Sequence, residues 1–303
     1  KSPKFYFTDC NFLSYIMKRD IAKDQHFSGF LQEGKYFDFA TPYGYGGWLI
    51  EGEGSLDNLN KEYSSWCKEN RIVSEVVRFH PILNNADRVR CIYDVMDLGK
   101  TVAIDLSSEE DIWNNIHSKN RNVIRKAIKN NVTIEHKLDK EIMSKFIEIY
   151  NHTMNKDNAD DYYYFKEDFY NSIMDDLKEE ADIFYAMYEG KMIAASIILR
   201  SNHKLSYHLS GFITEYGTLA ATNLLLYEVS KWGANNGYTK LHLGGGVGSR
   251  EDNLYKFKKS FYKGEDYQYS IGRKIFNNEV YDKLVDMRKD EEKRDNFFPL
   301  YRG

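Results

Sequence analysis

The chain has 303 residues, of which 42% are hydrophobic and 29% charged, a composition typical of a globular protein with room for two domains. Its net charge of −4 excludes an overall basic surface for nucleic acid, and its 4 prolines exclude long proline-rich linkers. Three scattered cysteines, Cys10, Cys67 and Cys91, have no CxxC spacing, which favours reduced thiols over a disulfide framework.

Apolar runs in the sequence are short. The longest, Met192 to Leu199, falls far below the roughly 20 residues that cross a bilayer. We therefore expect no integral membrane segment and a cytoplasmic location.

The first part of the chain predicts strands, one helix and a basic helical segment. Prolines and glycines mark the turns, and apolar spacing separates helix from strand. In chain order the pattern predicts strand, turn and strand over Phe37–Ile50, a helix over Asn58–Asn70, strands over 71–83 and 91–106, and a helical segment over 112–130.

The second part predicts a similar order of elements. A strand over 132–138 is followed by a helix over 139–154 and, after a loop, by a second helix that ends near 177. The remaining elements are strands over 183–190, 191–201 and 204–212, a helix over Ala221–Asn235, a strand over 239–245, a short helix, a strand over 267–276 and a helix over Glu279–Arg294.

Together these elements predict an α+β protein of two similar blocks, each with a mixed, mostly antiparallel sheet flanked by helices. We expect one domain over residues 1–130 and a second over 131–278. The C-terminal helix, within 279–303, is expected to pack back on the first domain.

The stretch "LHLGGGVGSREDNLYKFKKSF", Leu241 to Phe261, joins a strand to a helix through three glycines. It is not a Walker A loop, because no Gly-Lys-Ser/Thr follows at the required offset, and it is not the G-x-G-x-x-G dinucleotide pattern. Elsewhere there is no G-x-S-x-G elbow and no metal-ligand spacing, so no metal is indicated.

Two interpretations of this loop stay open. Glycines let a chain turn sharply as it leaves a sheet. Alternatively, Gly245 and Gly246 lead to a helix start whose amides, together with Arg250 and Lys258, suit a carboxylate, a phosphate or a developing oxyanion.

Several stretches, in this order, resemble the FemAB family of peptidoglycan interpeptide-bridge aminoacyltransferases and the wider group of tandem GNAT acyltransferases. They are "ATPYGYGGW" (40–48), "IWNNIHSKNRNVIRKAIKNNVTI" (112–134), "AASIILRSNHKLSYHLSGF" (194–212), "LLLYEVSKWGANNGYTKLHLGG" (224–245) and "LYKFKKSF" (254–261).

The resemblance implies two GNAT-like domains with an acceptor groove between them, and transfer of an acyl or aminoacyl group to an amine. It places the family's Phe-Lys pair at Phe257 and Lys258, with the lysine cation beside the reacting carbonyl. The alternative is that Lys256, Lys258 and Lys259 form a solvated helix face.

The donor is either acyl-coenzyme A or aminoacyl-tRNA, and no other cofactor is indicated. Members of the GNAT superfamily hold coenzyme A phosphates on a glycine-rich turn, whereas "EYGTLAAT" (215–222) has only Gly217. For charged tRNA, Arg121, Arg125 and Lys129 recur along one helix and could meet phosphates, although such a stripe is commonly a solvated face.

Other candidates line the presumed substrate path. His208 is a candidate general base, with a hydrogen-bonded core histidine as the alternative, and Tyr207 is a candidate for substrate binding. Alternation places the two side chains on opposite faces of the strand, so at most one of them faces the groove. The remaining candidates for substrate binding, each with a plain turn or packing role as the alternative, are Tyr43, Tyr45, Trp48, Asp160 and Tyr163.

The leading hypothesis is a cytoplasmic FemAB-like N-acyltransferase in cell-wall biogenesis, acting on an amine of a peptidoglycan or surface-glycan precursor. An alternative enzyme is a coenzyme A-dependent GNAT acetyltransferase acting on an amino sugar. A third interpretation is a catalytically silent tandem GNAT module that binds a glycan precursor.

Overall fold

The computed structural model describes residues 4–7, 12–50, 54–288 and 297–303. The strands are β1 (Lys4–Phe7), β2 (Phe12–Tyr15), β3 (Met17–Asp20), β4 (Phe37–Ala40), β5 (Leu49–Ile50), β6 (Ile72–Arg78), β7 (Asp94–Asp105), β8 (Thr133–His136), β9 (Ala181–Tyr188), β10 (Lys191–Ser201), β11 (Lys204–Phe212), β12 (Lys240–Gly244) and β13 (Tyr267–Ile275). The α-helices are α1 (Leu56–Glu69), α2 (Glu109–Asn115), α3 (Ser118–Lys129), α4 (Lys140–Lys156), α5 (Glu167–Asp176), α6 (Ala221–Asn235), α7 (Asn253–Lys259) and α8 (Asn278–Met287). No helix within the described ranges is both long and apolar enough to cross a membrane.

The chain forms two compact units. Unit 1 comprises Lys1–Gly99 and Gln268–Gly303, and unit 2 comprises Lys100–Tyr267. The division therefore falls about thirty residues earlier than the sequence indicated. The basic helix α3 belongs to unit 2, because Ile124 and Ala127 on its apolar side are buried in the core of that unit.

Unit 1 is built on strands in the order β3-β4-β6-β13, in which only the β4–β6 pair is parallel. Helix α1 starts where the Ser55 hydroxyl accepts a hydrogen bond from Asn58 N, and its Leu59, Tyr63 and Cys67, four residues apart, are buried. β1, β2 and β5 form a separate antiparallel sheet.

The C-terminal segment of the chain packs within unit 1. Tyr281 and Leu284 of α8 join Phe27 and Tyr301 in a buried apolar cluster. The expected helix over Glu279–Arg294 ends at Met287, and residues 289–296 lie outside the described part of the chain.

Unit 2 carries strands in the order β7-β12-β11-β10-β9-β8, with β7 contributing from Lys100 onward. Only the β11–β12 pair is parallel. Helices α2, α3 and α6 pack on one face of this sheet, and α4 lies on the other, where Phe146 of α4 contacts Tyr170 of α5. Because both faces are covered, β9 and β10 are almost continuously buried.

The predicted α+β class, with mixed and mostly antiparallel sheets flanked by helices, is confirmed. One element differs from the pattern. The segment over 112–130 is not a single helix, because α2 ends at Asn115 and α3 begins at Ser118. At the break, His117 N donates a hydrogen bond to Ser260 O at 2.9 Å, which ties this corner to the end of α7.

Candidate functional site

The site develops where two neighbouring parallel strands of unit 2 part. β11 and β12 pair at only three positions, the last being Ser206 with His242. Beyond that point β11 stays paired with β10, and β12 with β7. The residues that follow, from Tyr207 on β11 and from Leu243 on β12, therefore border an opening in the sheet.

A β-bulge at His208 shapes the β11 side of this opening. Ile197 pairs with Leu209 and Ile198 with Tyr207, so His208 is the extra residue. Bulges re-aim side chains and are frequent beside active sites.

Tyr207 packs against the core on the α6 face of the sheet. Burial raises the pKa of its phenol, while hydrogen bonds with Ser210 and Ser196 oppose that rise. The phenol therefore stays protonated at neutral pH.

His208 faces the helices of the other layer. Its ring is stacked on Phe169 of α5 at 6.2 Å between centroids. Burial lowers the pKa of the imidazole to about 4. A ring that stays neutral across the physiological range is a weak base, so its chemistry is better suited to hydrogen bonding than to taking up a proton.

The glycine turn at the end of β12 is required by close packing. Gly244 has φ +78, and a Cβ on Gly245 would lie 2.7 Å from Lys100 O. A Cβ on Gly246 would collide with Arg250 O and the Asp252 carboxylate. No residue with a side chain fits this path without rearrangement.

The turn is held by a carboxylate of the chain itself. Asp252 Oδ1 accepts a hydrogen bond from Tyr255 N at 2.9 Å, and Oδ2 accepts one from Val247 N at 3.0 Å. The expected anion site at this helix start is therefore filled by Asp252, and the interpretation of the glycines as a sharp turn is the one that fits.

Lys258 lies under the turn that Asp252 holds. Its side chain is buried, and Nζ donates a hydrogen bond to Gly245 O at 2.7 Å. Burial lowers the pKa of the ammonium to about 8, and the charge of Asp252 partly offsets this. Lys258 is thus a desolvated cation and not part of a solvated helix face.

The neighbouring lysines of α7 have other environments. Lys256 is exposed, whereas Lys259 Nζ donates to Asp266 Oδ1 at 2.7 Å and to Gly264 O. The hydroxyl of Tyr255 donates to the other oxygen of Asp266 at 2.5 Å. These bonds fix the rotation of the short helix, so that Lys258 faces Gly245.

The other predicted site residues of unit 2 have varied environments. Phe257 is half-buried against the core, and the exposed Arg250 donates from Nε to Val247 O at 3.3 Å. Asp160 is exposed in the loop before α5, and Tyr163 O accepts a hydrogen bond from the hydroxyl of Tyr150.

The aromatic residues of the early "TPYGYGGW" stretch belong to unit 1. The ring of Tyr45 contacts Tyr269 at 5.5 Å, and Tyr43 is half-buried. Trp48 is 1% exposed and donates from Nε1 to the Tyr93 hydroxyl at 2.8 Å. Its expected role in substrate binding does not fit this position, because a core side chain cannot touch a substrate.

The Trp48 bond is part of a buried network around Glu75. The hydroxyls of Tyr63 and Tyr93 each donate to one Glu75 oxygen at 3.0 Å. Burial raises the pKa of Glu75 to about 7, against the opposing effect of the two tyrosines and of Lys274. The network fixes Trp48 within the core of unit 1.

Of the three predicted tRNA-binding residues on α3, two make local contacts. Arg121 Nη1 donates to Trp113 O at 3.4 Å, and the Arg125 guanidinium lies 4.9 Å from the Trp113 ring centroid. Lys129 is exposed. The two arginines join α3 to α2, so the stripe is not a fully solvated face.

Asp252 was missed as a site residue. The signal in the sequence was an aspartate immediately before a predicted helix, which is the usual position of an N-cap. Its second contact, to Val247 N, depends on the tight glycine turn and could not be seen in the sequence.

Comparison with known proteins finds one matching domain family and several structures of similar fold. Residues 118–259 match the GNAT acetyltransferase domain family. A search of curated protein sequences finds no significant match. The crystal structure of FemX superimposes with a TM-score of 0.67 at 12% identity, over 90% of this chain and 86% of that one.

Two further structures are similar. The C-terminal domain of a putative lysylphosphatidylglycerol synthetase from Agrobacterium fabrum has a TM-score of 0.61 at 13% identity, over 95% of this chain and 87% of that one. The L-PGS structure from Bacillus licheniformis has a TM-score of 0.59 at 15% identity, over 95% and 88%. At such identities the likeness shows the fold.

The part of unit 2 that matches the GNAT acetyltransferase domain family, residues 118–259, therefore includes the parted strands β11 and β12 and the buried Lys258. The chain as a whole is similar in fold to FemX.

The Asp252 contacts generate a testable prediction. In D252N the amide can still accept one of the two hydrogen bonds, but the charge that supports the Lys258 ammonium is lost. We expect the free energy of unfolding of the variant to be about 1–2 kcal/mol lower than that of the wild type. We also expect the pKa of Lys258 to fall below its wild-type value. Chemical denaturation and a pH titration measure the two effects.

The matched control is E251Q, which neutralises the adjacent, exposed carboxylate. It should alter neither quantity appreciably, because exposed ion pairs contribute little. Equal effects of D252N and E251Q would show that Asp252 does not hold the turn.

Proposed function

We propose that the chain is a FemAB-like N-acyltransferase that moves an acyl or aminoacyl group to an amine of a cell-wall or surface-glycan precursor. The observation that carries this proposal is the buried Lys258 ammonium on the Gly245 carbonyl, at the end of a strand that parts from its neighbour. The FemAB-like fold supports the choice of acceptor.

The chemistry follows from what a buried cation does. The acceptor amine attacks the acyl carbonyl carbon, and the carbonyl oxygen becomes negative as the tetrahedral intermediate forms. Lys258 uses one of its three N–H groups on Gly245 O and has two left to donate to that oxygen. In a site shielded from water such a donor stabilises the intermediate strongly.

Collapse of the intermediate expels the donor's leaving group and forms the amide bond. The attacking nitrogen must lose a proton, and the leaving group gains one. In this proposal the neutral ring of His208 accepts a hydrogen bond from the uncharged amine and orients it, because a group with a pKa of about 4 cannot deprotonate an ammonium ion effectively.

The start of α6 favours acyl-coenzyme A as the donor. The N-cap position of α6 is Ala220, which has no side-chain group that could cap the first turn, in contrast to α4 and α7, which begin with aspartate caps. Uncapped amides at the start of a 15-residue helix suit a phosphate. Ala220, with φ 56 at the cap position, replaces the glycine that a turn of this shape prefers.

Thermal unfolding tests the donor. Acetyl-coenzyme A at a hundredfold excess over its Kd should stabilise the chain by about 2.7 kcal/mol, while free adenosine should not. A shift with charged but not uncharged tRNA, and none with acetyl-coenzyme A, would replace acyl-coenzyme A by aminoacyl-tRNA and leave acyl transfer intact.

Substitution of Lys258 tests its role. K258M keeps much of the side-chain volume but removes the charge, and we expect kcat to fall by about 10²–10³-fold. The variant should be more stable at pH 7 by about 1–3 kcal/mol, because the wild type buries an ion whose folded pKa lies below its unfolded value. This penalty disappears as pH rises from about 8 through the unfolded pKa of lysine.

The pH profile and a control complete the experiment. The turnover rate of the wild type should fall above pH 8, because the Lys258 ammonium loses its proton there. In K258R the rate should fall only at higher pH, because a guanidinium keeps its charge. K256M, which changes an exposed lysine of the same helix, should retain full activity. Wild-type turnover by a folded K258M would contradict the assigned role and favour a silent binding module.

A further inference from the structure

Unit 1 contains a cavity of about 670 Å³ that plays no part in the proposed acyl transfer. Its walls come from β3, the turn after it, β4 and the C-terminal residues. The charged lining side chains are four cations and two carboxylates, namely Lys18, Arg19, Lys23 and Arg302 with Asp20 and Asp24.

The carboxylates of the lining are already engaged. Asp20 accepts hydrogen bonds on both oxygens from backbone N–H groups, those of Ala22 at 3.1 Å and Gly34 at 2.8 Å. Asp24 accepts one from Arg302 Nη1 at 2.7 Å. These contacts hold the two carboxylates in place, and the cations of the lining outnumber them four to two.

A third carboxylate lies beneath the cavity. Asp38 is fully buried and accepts hydrogen bonds from Arg19 Nε at 2.8 Å, Arg302 Nε at 2.5 Å and the Tyr301 hydroxyl at 3.1 Å. It anchors both arginines at the cavity wall.

The cations, in contrast, have donors to spare. Arg19 Nη2 is buried and has no hydrogen-bond partner among the described residues. An N–H group that is removed from water in this way normally has an acceptor. Asp38 fixes Nε of the same guanidinium, so the Arg19 head group is held in one orientation, and about a third of its side chain remains exposed at the cavity.

Further positive charge surrounds the same wall. Lys18 Nζ lies 3.8 Å from the centroid of the Phe37 ring, which also lines the cavity, and the Arg71 guanidinium lies 5.9 Å from that ring. Lys23 lies 3.9 Å from Glu33, and both of these side chains are exposed. Within the described residues, neither lysine has a carboxylate oxygen closer than that.

We propose that this cavity binds the phosphate group of a phosphorylated ligand. A phosphate has several oxygens and close to two negative charges, so it can meet the exposed part of Arg19 together with Lys18 and Lys23, whereas a carboxylate offers two oxygens and one charge. The volume exceeds that of a single anion, which leaves room for an organic group beside Phe37. Both a soluble phosphate ester and a phospholipid head group carry this chemistry.

Calorimetric titration of the full chain tests the proposal. The probes are orthophosphate, ADP, vesicles of phosphatidylglycerol and, as a carboxylate control, acetate. Orthophosphate should bind saturably and more tightly than acetate. The double variant K18Q/K23Q, which changes two lysines without touching the buried Asp38 contacts, should lose about tenfold or more in phosphate affinity.

The control variant is K61Q, which removes the same charge from an exposed position on α1 of the same unit and should bind like the wild type. Tighter binding of ADP than orthophosphate assigns a soluble ester, and tighter binding of vesicles assigns a head group. Equal affinity of K18Q/K23Q and wild type, equal affinity for acetate and phosphate, or no saturable binding of any probe would overturn the proposal.

Discussion

The short parallel pairing of β11 with β12 is the constraint on which the rest of the site depends. After three paired residues the two strands acquire different partners, and the residues beyond them have to be supported in other ways. On the β11 side the support is a bulge at His208, with β10 continuing alongside. On the β12 side it is a glycine turn closed by Asp252, and the Gly245 carbonyl of that turn receives the Lys258 ammonium.

In this arrangement the same buried ammonium lowers the stability of the fold and serves the proposed reaction. A buried ammonium destabilises the folded state, and its single fixed hydrogen bond to Gly245 does not replace the water it has lost. The surrounding structure offsets that cost through the Asp252 cap and the bonds from Tyr255 and Lys259 to Asp266. In the proposed reaction the two remaining N–H groups of Lys258 stabilise the tetrahedral intermediate, because they meet a negatively charged oxygen only when that intermediate forms.

Much of the fold could be predicted because the spacing of apolar residues reflects which side of a helix or strand is buried. The helix α4 and the strands β10 and β11 followed from such patterns. The domain boundary could not, because the apolar side of α3 fits either core and only the tertiary structure assigns it to unit 2. For the same reason the burial of Lys258 within a run of lysines, and of Trp48 within a glycine-rich turn, left no mark in local sequence. The resemblance of "LYKFKKSF" to a family pattern, rather than periodicity, singled out Lys258.

The most direct measurement is the ionisation of Lys258 itself. Heteronuclear NMR of the chain labelled at the lysine side chains, with the Lys258 signal identified by its loss in K258M, gives the pKa without any assumption about donor or acceptor. We expect a midpoint near 8, displaced downward by burial. A midpoint near the ordinary lysine value of about 10.4 would show that the ammonium is solvated and would contradict its proposed role as a desolvated cation at the reacting carbonyl.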